Sequence, residues 1–305
     1  MNKEEILLFG EENNLIGIYS SNPHHDYDTA VIMLNAGIIH RIGPNQLYAN
    51  LAKHLASLNI STFRFDFSGI GDSSFGESDW KFQENYYKSA LAAIDHLNVN
   101  RGISKFILIG LCSGADVSIE TALHSDKISA ICFINGEYFN VEGLPKLLYP
   151  IVYQRLIVRY NLKNIFNLKR WKRLATSKKK LFSFKTISFV IQFMLKSLKN
   201  KFGLKKTSVI QKDINVTAVD LSNSIFSFWK NLIDRNVNIY QIYSEGSIGL
   251  DLYKILLQKR IEAIKDNRVK IEIFRNIDHT FTPTWAQEYL FNSIYEWLCT
   301  INDQL

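Results

Sequence analysis

A cysteine placed between two glycines is the feature of this sequence that could do chemistry. Cys112 is the central residue of Gly110-Leu111-Cys112-Ser113-Gly114, which follows an apolar run and precedes sequence that favours a helix. Glycines on both sides let the backbone turn sharply, so that the central side chain stands above the strand. The following helix would place partial positive charge under the thiol and lower its pKa. We therefore predict that Cys112 is a nucleophile and that Ser113 contributes its backbone N–H.

A histidine near the end of the chain is the candidate base. His279 follows the last predicted strand, where its imidazole could take the proton of the Cys112 thiol. The backbone N–H groups of a small-residue turn after an early strand could stabilise the oxyanion that forms when the thiol attacks a carbonyl. The predicted oxyanion hole consists of Ala36, Gly37, Ile38 and Ser113.

His40 and Arg41 follow the same turn, and two roles are open for them. They could bind an anionic group of the substrate, because an imidazolium and a guanidinium both donate charged hydrogen bonds. They could instead hold the loop in place through a nearby carboxylate. Both residues are therefore candidates for substrate binding.

Alternating strand-like and helix-like segments must position these residues. The run Thr29–Leu34 is continuously apolar, as in a strand that is buried on both faces. The alternation continues through the first 140 residues and resumes around Leu221, which predicts an α/β fold with a doubly wound, mostly parallel sheet. Two early segments, around Ile6–Phe9 and Leu15–Tyr19, predict a hairpin at the edge of this sheet.

Three turns give the sequence a strong resemblance to α/β-hydrolases. They are residues 66–73, which resemble the D-x-x-G-x-G-x-S turn of these enzymes, residues 110–114, and residues 276–281 around His279. The resemblance covers roughly residues 28–140 and 220–300, and it implies an α/β-hydrolase fold with a Cys–His–carboxylate triad. Residues 35–44 and 110–115 are closer to a cysteine-nucleophile subset, bacterial hydrolase-like proteins often associated with polysaccharide or natural-product pathways.

Two positions compete for the carboxylate of the implied triad, with a third behind them. The superfamily usually carries it after the strand that ends near Tyr243, where this sequence has Ser244-Glu245-Gly246-Ser247. Asp251, four residues on, could serve there, or it could cap the helix that begins at that point. Glu137 follows the preceding strand, where some relatives, including cysteine-dependent Dieckmann cyclases, carry a carboxylate. Glu137 and Asp251 have equal weight, ahead of Glu245.

The charge of the chain is unevenly distributed. Residues 143–212 are basic, aromatic and helix-favouring, which predicts a helical lid inserted into a core of residues 1–142 and 213–305. The segment from Lys146 to Lys212 contains 18 of the 36 Lys and Arg residues and no Asp or Glu. The rest of the chain contains the other 18 basic residues and all 29 acidic residues. The predicted lid should therefore bind an anionic partner. The candidates are an acyl carrier protein, coenzyme A and an anionic membrane surface. No motif supports nucleic-acid binding.

Composition narrows the class of protein further. No uninterrupted apolar stretch approaches the roughly 20 residues that span a bilayer, and the acidic, polar N-terminus does not resemble a secretory signal. Three scattered cysteines are too few for a disulfide framework or a metal site. We expect a cytoplasmic protein, with peripheral membrane contact as an alternative, and we predict no metal and no cofactor.

A thiol nucleophile favours an acyl thioester as the substrate. Exchange between two thioesters is nearly balanced in free energy, so Cys112 could take an acyl group from a carrier and hold it as an S-acyl intermediate. The sequence thus predicts an acyl-thioester hydrolase or acyltransferase. The alternatives are a Dieckmann-type cyclase acting on a carrier-bound thioester, and a catalytically degenerate hydrolase-fold binding protein, which the serine at position 247 would suit.

Overall fold

The structure is a computed structural model that describes residues 3–21, 28–75, 86–138 and 208–302, with side chains from residue 219 in the last range. Its strands are β1 (Lys3–Phe9), β2 (Leu15–Ser21), β3 (Thr29–Leu34), β4 (Thr62–Phe65), β5 (Lys105–Leu111), β6 (Ile128–Ile134), β7 (Asn238–Ser244) and β8 (Val269–Phe274). They form one eight-stranded sheet in the order β1-β2-β4-β3-β5-β6-β7-β8.

Helices follow most of the strands and are numbered in chain order within the described residues. They are α1 (Leu47–Ser57), α2 (Tyr86–Arg101), α3 (Ser113–Leu123), α4 (Ser208–Asp234), α5 (Ile248–Leu252), α6 (Gln258–Ile264) and α7 (Thr284–Asn302). A π-helical turn, Tyr253–Leu257, joins α5 to α6. None of the described helices combines the length and the apolar character that crossing a bilayer requires.

The pairing of the strands confirms the predicted sheet. Strands β3 to β8 run parallel to one another, so their carboxyl ends lie along one edge of the sheet, whereas β2 pairs with β4 in the antiparallel sense. The predicted hairpin is also confirmed, because β1 pairs with β2 in the antiparallel sense and Phe9 lies opposite Leu15. In such a sheet the loops at the carboxyl edge form the ligand site.

Both faces of the central strands are buried, which explains the continuous apolar run of β3. Val31 and Met33 pack with residues of α1 and α7 in one apolar cluster. Ile32 points to the opposite face, because side chains alternate along a strand, and it is equally buried. Burial on both faces holds the carboxyl edge of the sheet rigidly, since protein cores are close-packed.

The chain divides into two units, one formed by Met1–Pro145 with Leu221–Leu305 and the other by Lys146–Asp220. The predicted lid, residues 143–212, lies outside the described residues apart from the start of α4. The lid therefore stays a prediction.

Candidate active site

Cys112 lies at a sharp turn between β5 and α3, and its backbone is strained. Its φ of 57° and ψ of −124° are unusual for a residue with a side chain. A Cβ atom on Gly110 would lie 2.1 Å from the carbonyl oxygen of Gly114, and one on Gly114 would lie 2.4 Å from the carbonyl oxygen of Leu34. The turn thus has the tight geometry that the two glycines predict, with the thiol at its apex.

The surroundings of the Cys112 thiol favour its protonated form. The side chain is half-buried and packs against the apolar core. Burial raises the pKa of the thiol to about 11, the charges of Glu137 and Asp116 add to the rise, and a hydrogen bond from the Ser113 backbone N–H lowers it. The lowered pKa expected from the helix is therefore wrong in direction, because desolvation and two carboxylates outweigh one amide.

Removing the charge of Glu137 should make the thiol more acidic. Below the pKa, the thiolate fraction changes tenfold for each unit of pKa. We expect Glu137→Gln to speed alkylation of Cys112 by iodoacetamide by roughly 3- to 10-fold at pH 8. Peptide mass spectrometry measures the alkylation rate at a series of values from about pH 7 to about pH 10. Glu296→Gln, at an exposed position on α7, is the matched control. An unchanged rate in Glu137→Gln would show that this carboxylate does not act on the thiol.

The predicted oxyanion turn lies beside Ser113, but the contact involves the serine hydroxyl. The backbone N–H of Gly37 donates to Ser113 Oγ over 2.7 Å. The carbonyl of Ala36 accepts from the N–H of Ile39 over 3.1 Å, which closes the turn. Ile38 is 77% exposed. The predicted neighbourhood of this turn and Ser113 is thus present, the contact with the hydroxyl is seen only in the fold, and the oxyanion hole itself stays a prediction.

Tyr48, on α1, holds the predicted oxyanion turn and the cysteine turn together. Its hydroxyl donates to the carbonyl of Leu34 over 2.8 Å and accepts from the N–H of Leu111 over 2.9 Å. The side chain is fully buried, and burial raises the pKa of the hydroxyl well above its usual value, so it stays a donor. In the sequence Tyr48 resembles an ordinary core residue of an amphipathic helix, so no signal identifies this role.

His279, the predicted base, lies in the loop after β8. Burial lowers the pKa of its imidazole, and the nearby charge of Asp278 offsets only part of this decrease. The Asp278 carboxylate shapes the loop by accepting hydrogen bonds of 2.7 to 3.4 Å from the N–H and hydroxyl groups of Thr280 and Thr282. Within the described ranges, no hydrogen bond joins the imidazole to the Cys112 thiol.

Asn135, directly after β6, ties the histidine loop to the centre of the sheet. Its amide nitrogen donates to the carbonyl of His279 and to Ser244 Oγ, each over 2.9 Å, and its amide oxygen accepts from the N–H of Ser244 over 2.7 Å. The preceding residue, Ile134, accepts from the backbone N–H of Cys112 over 2.9 Å. One buried residue therefore joins the loop of His279 to β6, the strand whose last residue bonds the cysteine turn.

Substitution of Asn135 should loosen this junction. Asn135→Ala leaves the N–H of Ser244 and the carbonyl of His279 without their buried partner, and each such loss costs about 1–3 kcal/mol. We expect the free energy of unfolding in urea to fall by roughly 2–4 kcal/mol. Asn45→Ala removes an exposed amide that bonds Thr282 over 3.2 Å, and it should cost under about 1 kcal/mol. Equal effects of the two substitutions would contradict the bridging role.

The three candidate carboxylates occupy different surroundings. Glu137 is buried after β6, and it is the one whose charge acts on the Cys112 thiol. Asp251 is buried within α5, whose N-cap is Ser247, since Ser247 Oγ accepts from the N–H of Leu250 over 3.2 Å. A capping role for Asp251 is therefore wrong. Glu245 is exposed at the end of β7.

Arg41 takes the second of its two predicted roles and holds its loop through carboxylates. Its guanidinium forms an ion pair with the fully buried Asp66 and contacts Asp72 over 2.6 Å, and its backbone N–H donates to Asp66 over 2.5 Å. A Cβ on Gly71 would lie 2.3 Å from the Asp66 carboxylate, so glycine is needed there. Substrate binding by Arg41 has no support from this geometry, and the exposed His40 stays a prediction.

A cavity of about 230 Å³ lies along α3, and its lining residues are Asp116, Ile119, Glu120, Leu123, His124, Tyr138 and Phe228. Asp116 is buried and accepts a hydrogen bond of 2.8 Å from the N–H of Tyr138. Asp116 is one helical turn from Cys112, so the part of the cavity that Asp116 lines is close to the cysteine turn. The described residues contain no group of three His, Cys, Asp or Glu side chains that could hold a metal ion.

Solved structures are similar in fold to this chain. An esterase of Pyrococcus furiosus is similar with a TM-score of 0.58, at 15% identity over 98% of this chain and 91% of its own. A proline iminopeptidase-related protein of Thermus thermophilus is similar with a TM-score of 0.53, at 16% identity over 99% of this chain and 100% of its own. The chain has the α/β-hydrolase fold. A putative α/β hydrolase of Agrobacterium tumefaciens matches it with a TM-score of 0.53, at 12% identity over 99% of this chain and 97% of its own.

The predicted α/β-hydrolase fold is thereby confirmed, and these low identities carry the comparison no further than the fold. No family model matches the sequence, and no curated protein is similar to it. Within the α/β-hydrolase fold, the turn after β5 carries Cys112 and the loop after β8 carries His279.

Proposed function

We propose that this α/β-hydrolase-fold protein acts on acyl thioesters, as a hydrolase or an acyltransferase, through an S-acyl intermediate on Cys112. The observation that carries the proposal is the strained turn, where a positive φ lifts the thiol and the N–H of Ser113 bonds the sulfur. Backbone strain of this kind persists only where the surrounding structure imposes it, and it concentrates at reactive residues. The similar fold of an esterase supports hydrolytic chemistry.

The proton of the thiol passes to His279 as the sulfur attacks. Burial keeps the Cys112 thiol protonated at neutral pH and keeps the imidazole of His279 neutral, so general-base catalysis fits better than a resting ion pair. The sulfur bonds the thioester carbon, and the carbonyl electrons move to oxygen. Collapse of this intermediate expels the leaving thiol, which takes the proton back from the imidazolium. Water or another acceptor then attacks the S-acyl group by the same steps.

Glu137 is the carboxylate that we assign to the imidazolium. It is buried, and its charge already acts on the Cys112 thiol, so it also stabilises a cation that forms beside that thiol. Asp251 lies within α5, and Glu245 is exposed, so neither has comparable support. The same charge that raises the pKa of the thiol in the resting protein therefore favours the protonated base during the attack.

A thioester donor fits both the thiol and the charge of the chain. Exchange of one thioester for another costs little free energy, whereas an amide would demand stronger protonation of its leaving group. The basic segment between Lys146 and Lys212 suits an acyl carrier protein or coenzyme A, both of which are anionic. Contact of that segment with anionic lipid is the alternative.

Intact-mass analysis with a panel of acyl thioesters tests the proposal. The native protein is incubated with acyl-coenzyme A and acyl-carrier-protein donors of short, medium and long chain. We expect a mass gain equal to one acyl group on Cys112. The released product then identifies the reaction, since a free acid means hydrolysis, an ester or amide means transfer, and loss of water relative to the acid means cyclisation. If no donor leaves an adduct, although iodoacetamide still alkylates Cys112, the proposal is wrong.

A further inference from the structure

The hydroxyl of Ser113 links the cysteine turn to the predicted oxyanion turn. Ser113 is the first residue of α3, and its backbone N–H bonds the Cys112 sulfur. Its Oγ atom accepts the N–H of Gly37, at 2.7 Å, from a turn 76 positions earlier in the chain. The residue therefore contacts both the thiol and the oxyanion turn.

We propose that Ser113 Oγ–H donates a hydrogen bond to the oxyanion, which makes Ser113 a catalytic residue of the proposed thioester chemistry, and this inference rests on that proposed function. A serine hydroxyl has one proton and two lone pairs, and the N–H of Gly37 occupies one lone pair. Within the described residues Ser113 Oγ donates no hydrogen bond, so its proton is free for the substrate. An N–H bond to the oxygen also polarises the hydroxyl and strengthens it as a donor.

The geometry explains why the Gly37 amide can act through the hydroxyl. The N–H of Gly37 is already satisfied by Ser113 Oγ, so a substrate oxygen would have to break that bond to reach it. A hydroxyl that stays in place avoids this cost. During the attack the sulfur–carbon bond forms, the thiol proton goes to His279, and the carbonyl oxygen becomes an anion. A hydrogen bond from the Ser113 hydroxyl stabilises that anion, and the proton stays on Oγ throughout.

Two reactions of the same thiol separate this role from a structural one. Acylation by a thioester creates an oxyanion, whereas alkylation by iodoacetamide displaces iodide and creates none. We expect Ser113→Ala to slow acylation of Cys112 by about 100-fold, the usual effect of one oxyanion donor, and to leave the alkylation rate within about twofold. Ser113→Thr keeps a hydroxyl and should retain at least about a tenth of the native acylation rate.

The possible results are distinguishable. Acylation that is unchanged or faster in Ser113→Ala means that the hydroxyl only covers the Gly37 amide, and it overturns the inference while the native adduct still supports the proposed function. A parallel fall of acylation and alkylation means that Ser113 acts on the thiol, and it also overturns the inference. Absence of any adduct on the native protein overturns the proposed function and this inference together.

Discussion

Cys112→Ala will form no acyl adduct, and its turnover of a thioester will fall by about 10,000-fold or more, as for loss of a covalent nucleophile. The residual rate would come from substrate binding and the oxyanion donors, which remain in place. The measurement is intact mass together with the rate of free thiol release from the donor that acylates the native protein. Thermal unfolding of the variant checks that the fold is retained.

Cys299→Ala is the matched control, because Cys299 is an exposed thiol on α7. It should acylate and turn over at the native rate. Cys112→Ser should remain far below the native protein, because a hydroxyl is a weaker nucleophile than a thiol when both depend on the same base. Turnover within tenfold of native in Cys112→Ala would show that this sulfur is not the reacting atom.

Asp66→Ala will lower the free energy of unfolding by about 3–5 kcal/mol, the usual cost of removing one partner of a buried ion pair. Asp66 is 0% exposed and accepts hydrogen bonds from the backbone N–H groups of Arg41 and Asp72, at 2.5 and 3.1 Å, besides its ion pair with the Arg41 guanidinium. Alanine leaves all of these donors without the carboxylate. Urea unfolding at pH 7 measures the loss.

Asp72→Ala is the control for this prediction, since it removes a carboxylate from the same guanidinium. The Asp72 side chain is 63% exposed, so its ion pair should contribute under about 1 kcal/mol. Comparable losses in the two variants would mean that the burial of Asp66 does not matter. Because Arg41 lies four residues after Gly37, Asp66→Ala should also slow acylation of Cys112 by loosening the oxyanion turn.

Much of the fold is predictable because it is encoded in short stretches of sequence. The apolar run Thr29–Leu34 is a strand buried on both faces, as predicted. A strand with one face in water would instead alternate apolar and polar side chains. The cysteine turn is predictable for a similar reason, because a Cβ on Gly110 or Gly114 would collide with backbone atoms within a few residues or on the neighbouring strand. Local sterics of this kind leave a direct trace in residue type.

The contacts that govern reactivity join residues that are far apart in the sequence. Ser113 Oγ meets Gly37 across 76 positions, and Asn135 meets His279 across 144. No local pattern marks either pair. The sequence could place His279 in the loop after the last strand, but it could not show that a buried asparagine holds that loop to β6.

The sequence by itself determined the parallel sheet, the turn that carries Cys112 and the loop that carries His279, because strand burial and backbone crowding act within a few residues. Only the tertiary structure decided the state of the thiol. The helix after Cys112 predicts a lowered pKa, yet burial and the charge of Glu137 raise it to about 11. Electrostatic free energies depend on distance and on exposure to water, and both are set only when the whole chain has folded.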